Sequence, residues 1–204
     1  AKERGVMIIP EIDMPGHMVA ALASYPELGC RDEKFEVRTR WGISKDVLCV
    51  GKDTSFEFIE GVLSEVISLF PSKYIHIGGD ECPRDRWKEC PHCQQRIKQE
   101  GLKDENELQS YFMHRVEAFL AKHDRRIIGW DEIIYGGINK SATIMLWNDR
   151  NRSKVTSLGN DVILTPKYFC YMDYYQTKRP YCNKEGLMFK ERILTLRKAY
   201  SLNP

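Results

Sequence analysis

Two kinds of apolar segment alternate along this chain. Short continuous runs occupy residues 6–13, 74–77, 126–132, 142–149 and 161–164. They are long enough for buried strands and too short for most helices. Between them, apolar residues recur at helical spacing. Residues 56–70 carry Phe58, Ile59, Val62, Val66, Ile67 and Phe70 in that rhythm, and Pro71 ends it. Residues 84–99 and 105–123 read as two helices separated by Gly101. Shorter helices are expected over 18–24 and 153–158, and a last one over 189–200. Residues 25–54 show little periodicity and read as one long loop containing Trp41. Loops of that length in compact domains are usually functional or disordered.

Strands alternating with helices predict a parallel sheet with helices outside it. Continuously apolar strands suit a sheet buried on both faces. Polar and aromatic residues gather just past each run: Asp13 and His17, then Asp80 and Glu81, then Trp130, Asp131 and Glu132, then Trp147, then Tyr171 and Asp173. Barrels of the (β/α)8 type build their sites at that end of the strands. Open doubly wound sheets also bind ligands there, at a switch point. No glycine-rich phosphate loop is present, and candidate residues follow all five runs. The expectation is therefore an α/β chain of the (β/α)8 barrel type.

The stretch from Lys73 to Glu81, KYIHIGGDE, organises the rest. Gly78 and Gly79 allow a sharp turn and a close approach to the backbone. Asp80 and Glu81 then sit at the mouth of the strand. A single Gly-Gly-Asp-Glu would read as a solvated acidic turn. The recurrence of acids and aromatics at the other strand ends reverses that reading.

The chain has 204 residues, 42% hydrophobic and 29% charged, enough for one sizeable core. A net charge of +2 gives no case for nucleic acid or for a polybasic membrane patch. No apolar run approaches the length of a membrane span. The opening residues, Ala1 to Gly5, read as the tail of a helix entering a strand, so the chain is expected to be a piece of a longer one, and its compartment is not legible. Seven cysteines cannot all pair within the chain. Cys90 and Cys93 have zinc-ligand spacing, with Cys82 near in sequence, but a zinc site wants a matching second pair and none is visible. Reduced or surface cysteines are expected, with no metal and no cofactor.

His76-Ile77-Gly78-Gly79-Asp80-Glu81 resembles the catalytic signature of the family 20 glycoside hydrolases, the β-N-acetylhexosaminidases. Residues 10–17, PEIDMPGH, are similar to that family's strand-three motif. Gly129 to Glu132, Leu146-Trp147 and Tyr171 to Asp173 resemble its motifs at strands five, six and seven, in the right order. The resemblance covers nearly the whole chain and implies strands three to seven of an eight-stranded barrel. The family's substrate-binding arginine near strand one and its tryptophan motif at strand eight have no counterpart. Residues 1–204 are thus expected to form a single catalytic-barrel fragment, with N-terminal strands, the last strand and any accessory domains outside it. Such a fragment is expected to associate through open sheet edges and to have little activity alone.

The resemblance also implies roles. The substrate would be a glycan or glycoconjugate ending in β-linked N-acetylhexosamine, cleaved with retention by its own 2-acetamido oxygen. Glu81 would be the general acid and then the general base. Asp80 would hold the acetamide N–H, and Tyr171 the acetamide oxygen. Trp130 and Trp147 would wall the pocket, and Asp173 would bind a sugar hydroxyl. Asp13 and His17 would stand behind the acid pair, and His76 would pack inside the barrel. A periplasmic, secreted or lysosomal location follows by the same resemblance. Two rival readings remain: a non-catalytic carbohydrate-binding barrel, and a metal-dependent barrel enzyme in which Asp13, Asp80 and Asp131 hold Mg²⁺.

Overall fold

The computed structural model describes residues 1–175 and 193–203. Its centre is a four-stranded parallel sheet of β1 (Tyr74–His76), β2 (Arg126–Trp130), β3 (Thr143–Leu146) and β4 (Val162–Leu164). Strand order follows the sequence, β1-β2-β3-β4, with Ile75 opposite Ile127, Gly129 opposite Ile144 and Ile144 opposite Val162. Each strand pairs with the next, as in a barrel; a doubly wound sheet would reverse direction at a switch point. Ile75, Ile127, Ile144 and Leu146 are fully buried, which accounts for strands that read as unbroken apolar runs.

The run at 6–13 joins this sheet only in part. His76 donates its amide to Pro10 O at 2.9 Å, Ile12 to His76 O at 2.9 Å, and Met14 to Ile77 O at 3.1 Å. Residues 10–14 therefore lie parallel to β1, with Glu11 bridged to His76. Val6, Met7, Ile8 and Ile9 are 40–62% exposed, and among the described residues no strand ladder includes them. The strand expected over 6–13 is thus limited to the part that meets β1.

The helices lie between the strands. Helix α1 spans Val19–Ser24 and α2 spans Asp53–Leu69. Phe56, Ile59, Leu63 and Val66 form the buried stripe of α2. The segment expected as one helix over 84–99 is two, α3 (Asp85–Glu89) and α4 (Pro91–Gln99), with Cys90 in extended conformation between them. Pro91 is the cause: its ring disfavours a helical residue before it, while its missing N–H costs nothing at a helix start. Helix α5 (Glu105–Ala121) buries Leu108, Phe112, Val116 and Leu120. Asp104 caps it, accepting from the amides of Asn106 and Glu107, a contact worth about 1 kcal/mol. Helix α6 (Arg152–Leu158) crosses from β3 to β4. A short α7 (Lys167–Cys170) follows β4 and was not anticipated. Of the helix expected over 189–200, α8 (Leu196–Tyr200) is present, and residues 189–192 lie outside the described residues.

The segment 25–54 is not a featureless loop. Gly29 and Leu48 form an antiparallel bridge, and Leu28, Val47, Leu48, Cys49 and Val50 are buried. The apolar run at 47–50 was the signal, hidden by the polar residues around it. Cysteines 49, 82, 90 and 93 are free thiols but buried, not surface groups; Cys182 lies outside the described residues. Among the described residues no helix is long and apolar enough to cross a membrane.

Candidate active site

The double glycine after β1 makes the site. Gly78 and Gly79 have φ of +66° and +93°, which side-chain-bearing residues rarely adopt. A Cβ on Gly78 would overlap the Asp13 carboxylate, so the turn can lie against that acid only without one. All four of their backbone polar groups have partners. Gly78 N donates to His76 Nδ1 and Gly79 N to Asp13 Oδ1. Gly78 O accepts from Trp130 N, and Gly79 O from Gln109 Nε2. The chain then enters Asp80 and Glu81. Glu81 itself has φ +44°, and its amide donates to Glu132 Oε2 at 2.9 Å. A non-glycine residue in this region costs of order 1–3 kcal/mol and persists only where its surroundings hold it. Gly16 packs tightly under the same peptides, 3.0 Å from Asp80 O if it carried a Cβ.

His17, also in the left-handed region at φ +56°, faces three carboxylates. Its Nε2 is 3.6 Å from Asp80 Oδ2, 3.6 Å from Glu81 Oε2 and 3.9 Å from Asp13 Oδ2. At those separations the contacts are charge pairs, not close hydrogen bonds. The Asp80 carboxylate, followed by the charges of Asp13 and Glu81, raises His17 to about 9, against the pull of burial. Burial, then the Asp80 charge, raises Asp13 to about 7. Glu81 is raised first by burial and then by Asp80, with His17 and Lys167 opposing. Glu132 is raised as well, chiefly by burial. Asp80 Oδ1 is buried and, among the described residues, has no hydrogen-bond partner.

The other strand ends supply aromatic surface. Trp147 and Tyr171 are stacked, with ring centres 6.4 Å apart and planes at 9°. Burial is the main reason Tyr171 is pushed up to about 12, with Tyr174, Asp80, Asp173 and Glu81 adding to it. Lys167 Nζ lies 4.6 Å from the Trp147 ring centre. Trp130 does not join this stack. Its indole N–H donates to Glu11 Oε1 at 2.9 Å, and its ring meets His76 edge-on at 4.9 Å. His76 is 5% exposed, in keeping with packing inside the sheet's curve. Its Nδ1 lies 3.1 Å from both the Gly78 amide and Glu11 Oε1; unprotonated it accepts from the first, protonated it donates to the second. Asp173 is exposed beside Tyr171.

Residues matching the whole chain, 1–204, fit the description "Glycosyl hydrolase family 20, catalytic domain". The chain belongs to this family. It is 52% identical over 178 residues to a beta-hexosaminidase of Porphyromonas gingivalis, covering 86% of this chain and 23% of that protein. Its fold matches a Vibrio harveyi family 20 exo-β-N-acetylglucosaminidase solved in complex with N-acetylglucosamine, with TM-score 0.86, 37% identity, and 100% of this chain against 32% of that one. A Streptomyces plicatus beta-hexosaminidase mutant in complex with GlcNAc gives TM-score 0.75 and 28% identity, over 100% of this chain and 38% of that one. The chain thus spans 23% to 38% of the length of these relatives. Its parallel sheet is the family 20 barrel sheet in kind.

Within that family 20 frame, the three-acid metal site does not assemble. Asp131 is fully buried, and its oxygens are occupied: Oδ1 accepts from the amides of Trp147 and Asn148, Oδ2 from Asn151 Nδ2. It ties β2 to the turn after β3 instead of facing Asp13 and Asp80. Sequence reasoning also left three contributors unassigned. Glu132 holds the Glu81 amide, Glu11 anchors Trp130 and His76, and Lys167 lies over Trp147. The two glutamates had a signal, an acid at a strand end; Lys167 had none.

Proposed function

We propose that the protein carrying this chain removes terminal β-linked N-acetylhexosamine, with retention, by a substrate-assisted mechanism. We infer further that residues 1–204 supply strands three to seven of an eight-stranded barrel and that the rest of the protein completes it. The observation that carries the reading is the buried Asp80 Oδ1, unpaired among the described residues, beside a glutamate of raised pKa.

Adjacent carboxylates cannot flank a glycosidic bond from opposite sides. The usual two-carboxylate retaining scheme separates them by ~5 Å, and family 20 is a known exception. The 2-acetamido oxygen attacks C1 in place of a carboxylate nucleophile. Glu81 in its protonated form gives its proton to the departing oxygen. Its raised pKa keeps that proton available. Asp80 Oδ1 accepts the acetamide N–H and stabilises the positive charge that spreads onto it as the ring closes. Tyr171 donates to the acetamide oxygen, and its raised pKa keeps it a donor. Trp147, stacked on Tyr171, gives the methyl group an apolar wall. Glu81 then takes a proton from water as the water opens the cyclised intermediate. The His17 imidazolium balances the crowded carboxylates. Trp130 is turned onto Glu11 and His76 and supports β1 from this position.

A non-catalytic barrel would have no use for an unpaired buried carboxylate oxygen, which costs roughly 1–3 kcal/mol. The test is product stereochemistry. Proton NMR of the first product from a β-N-acetylglucosaminide should show the β-anomer before mutarotation. The α-anomer would defeat the proposal.

A further inference from the structure

The sequence shows one zinc-type pair, Cys90 and Cys93; the fold brings it a second. Cys30 follows the Gly29 end of the antiparallel bridge and Cys49 follows the Leu48 end, so the bridge holds them side by side. Cys90 sits just before α4 and Cys93 in its first turn. Cys49 Sγ is 3.7 Å from both Cys90 Sγ and Cys93 Sγ, and Cys30 Sγ is 3.9 Å from Cys93 Sγ. All four sulfurs lie within 4.8 Å of one another. A disulfide needs its sulfurs about 2.05 Å apart, so these are not bonded pairs. Four Zn–S bonds of about 2.3 Å in a tetrahedron give edges of about 3.8 Å, close to those three separations.

We propose that Cys30, Cys49, Cys90 and Cys93 form a tetrahedral zinc site that clamps the 29–51 segment to the first turn of α4. On binding, four Zn–S bonds form and the thiol protons pass to solvent. Cys90 and Cys93 lie at the N-terminal, positive end of α4, which favours thiolates there. Cations flank the cluster's backbone: Lys52 Nζ donates to Glu27 O and Gly29 O at 2.8 Å each, and Arg96 Nη2 to Gly51 O. They offset the net double negative charge of a zinc tetrathiolate. Gly51 is part of the design too, because a Cβ there would overlap the His92 carbonyl carbon and the Cys93 amide. Cys49, Cys90 and Cys93 are shut off from water while Cys30 is partly exposed, leaving one side open to metal.

The clamp reaches the active site through Leu48. Its amide donates to Pro15 O and its carbonyl accepts from Trp87 Nε1, both at 2.9 Å. Pro15 is two residues from His17. Zinc would therefore hold in place the turn that carries the imidazole.

Elemental analysis of the purified full-length protein should find one zinc per chain, and the Cys49→Ser and Cys30→Ser variants should lose it. Cobalt exchanged into the site should give the intense visible bands of a tetrahedral thiolate. Cys30→Ser guards against a folding failure, since Cys30 is the outermost ligand. A folded protein with no metal, in which Cys30, Cys49, Cys90 and Cys93 are all free thiols, would overturn the proposal. So would two disulfides by mass, or one iron in place of zinc.

Discussion

The amide of Glu81 donates to the carboxylate of Glu132 across 2.9 Å, fixing the peptide that turns the candidate acid into the site. Glu81 occupies the left-handed region, and this bond is one of the contacts that keep it there. Glu132→Ala should lower kcat by about 10²-fold, the scale of a small misplacement of a reacting group. Glu132→Gln keeps an acceptor oxygen and should recover most of the loss. Steady-state kinetics on both variants decides; equal losses would mean that the carboxylate, and not the hydrogen bond, is what matters.

Asp80→Asn replaces an acceptor with an amide whose N–H₂ would face the acetamide N–H. Loss of one such contact costs ~10²–10³ in kcat, with less effect on KM. Glu81→Gln removes the transferable proton and should abolish most turnover of a substrate with a poor leaving group. A highly activated aryl leaving group needs little protonation, so part of the first step should survive with it. Full activity of Glu81→Gln on an unactivated glycoside would remove Glu81 from its role.

The charge cluster around His17 sets a pH dependence. His17 is raised from 6.5 to about 9, so the fold favours its protonated form. Its contribution to stability is fully present below pH 6.5 and is lost as pH rises through about 9. Asp13 is raised from 3.8 to about 7, so it too binds a proton more tightly in the fold; that contribution is present below 3.8 and lost on rising through 7. Imidazole ¹⁵N NMR should show His17 titrating near 9, and Asp80→Asn should bring it down towards 6.5. A wild-type His17 titrating at 6.5 would mean that the carboxylates do not act on it. The rate should fall on the alkaline side as Glu81 loses its proton.

Residues 1–204 expressed alone should associate. Val6 to Ile9 present an apolar face at the margin of the sheet, and such edges invite pairing with another chain. Light scattering should report oligomers or aggregates, with little glycosidase activity. A monodisperse monomer would show that the segment is covered from within.

The sheet and its ends were legible because strands buried on both faces must be continuously apolar, and because acids after glycines stand out. Asp80, Glu81, His17 and Trp147 could be picked on those grounds. Trp130 could not be oriented, since strand alternation does not reveal that Glu11 offers its indole a partner. Asp131 looked like a ligand because its buried amide partners at Trp147 and Asn148 come from another strand end. The four-cysteine cluster was invisible for a similar reason. Cys30 and Cys49 are far apart in sequence and are made neighbours only by the Gly29–Leu48 bridge.

The central claim is that the substrate's acetamide oxygen, and no protein carboxylate, attacks C1. Replacing the acetamido methyl by trifluoromethyl draws electrons from that oxygen while hardly changing its size. The measurement is kcat/KM of the full-length protein on matched aryl N-acetyl and N-trifluoroacetyl β-glucosaminides. Substrate assistance predicts a fall of orders of magnitude across the pair, whereas nearly equal values would contradict it.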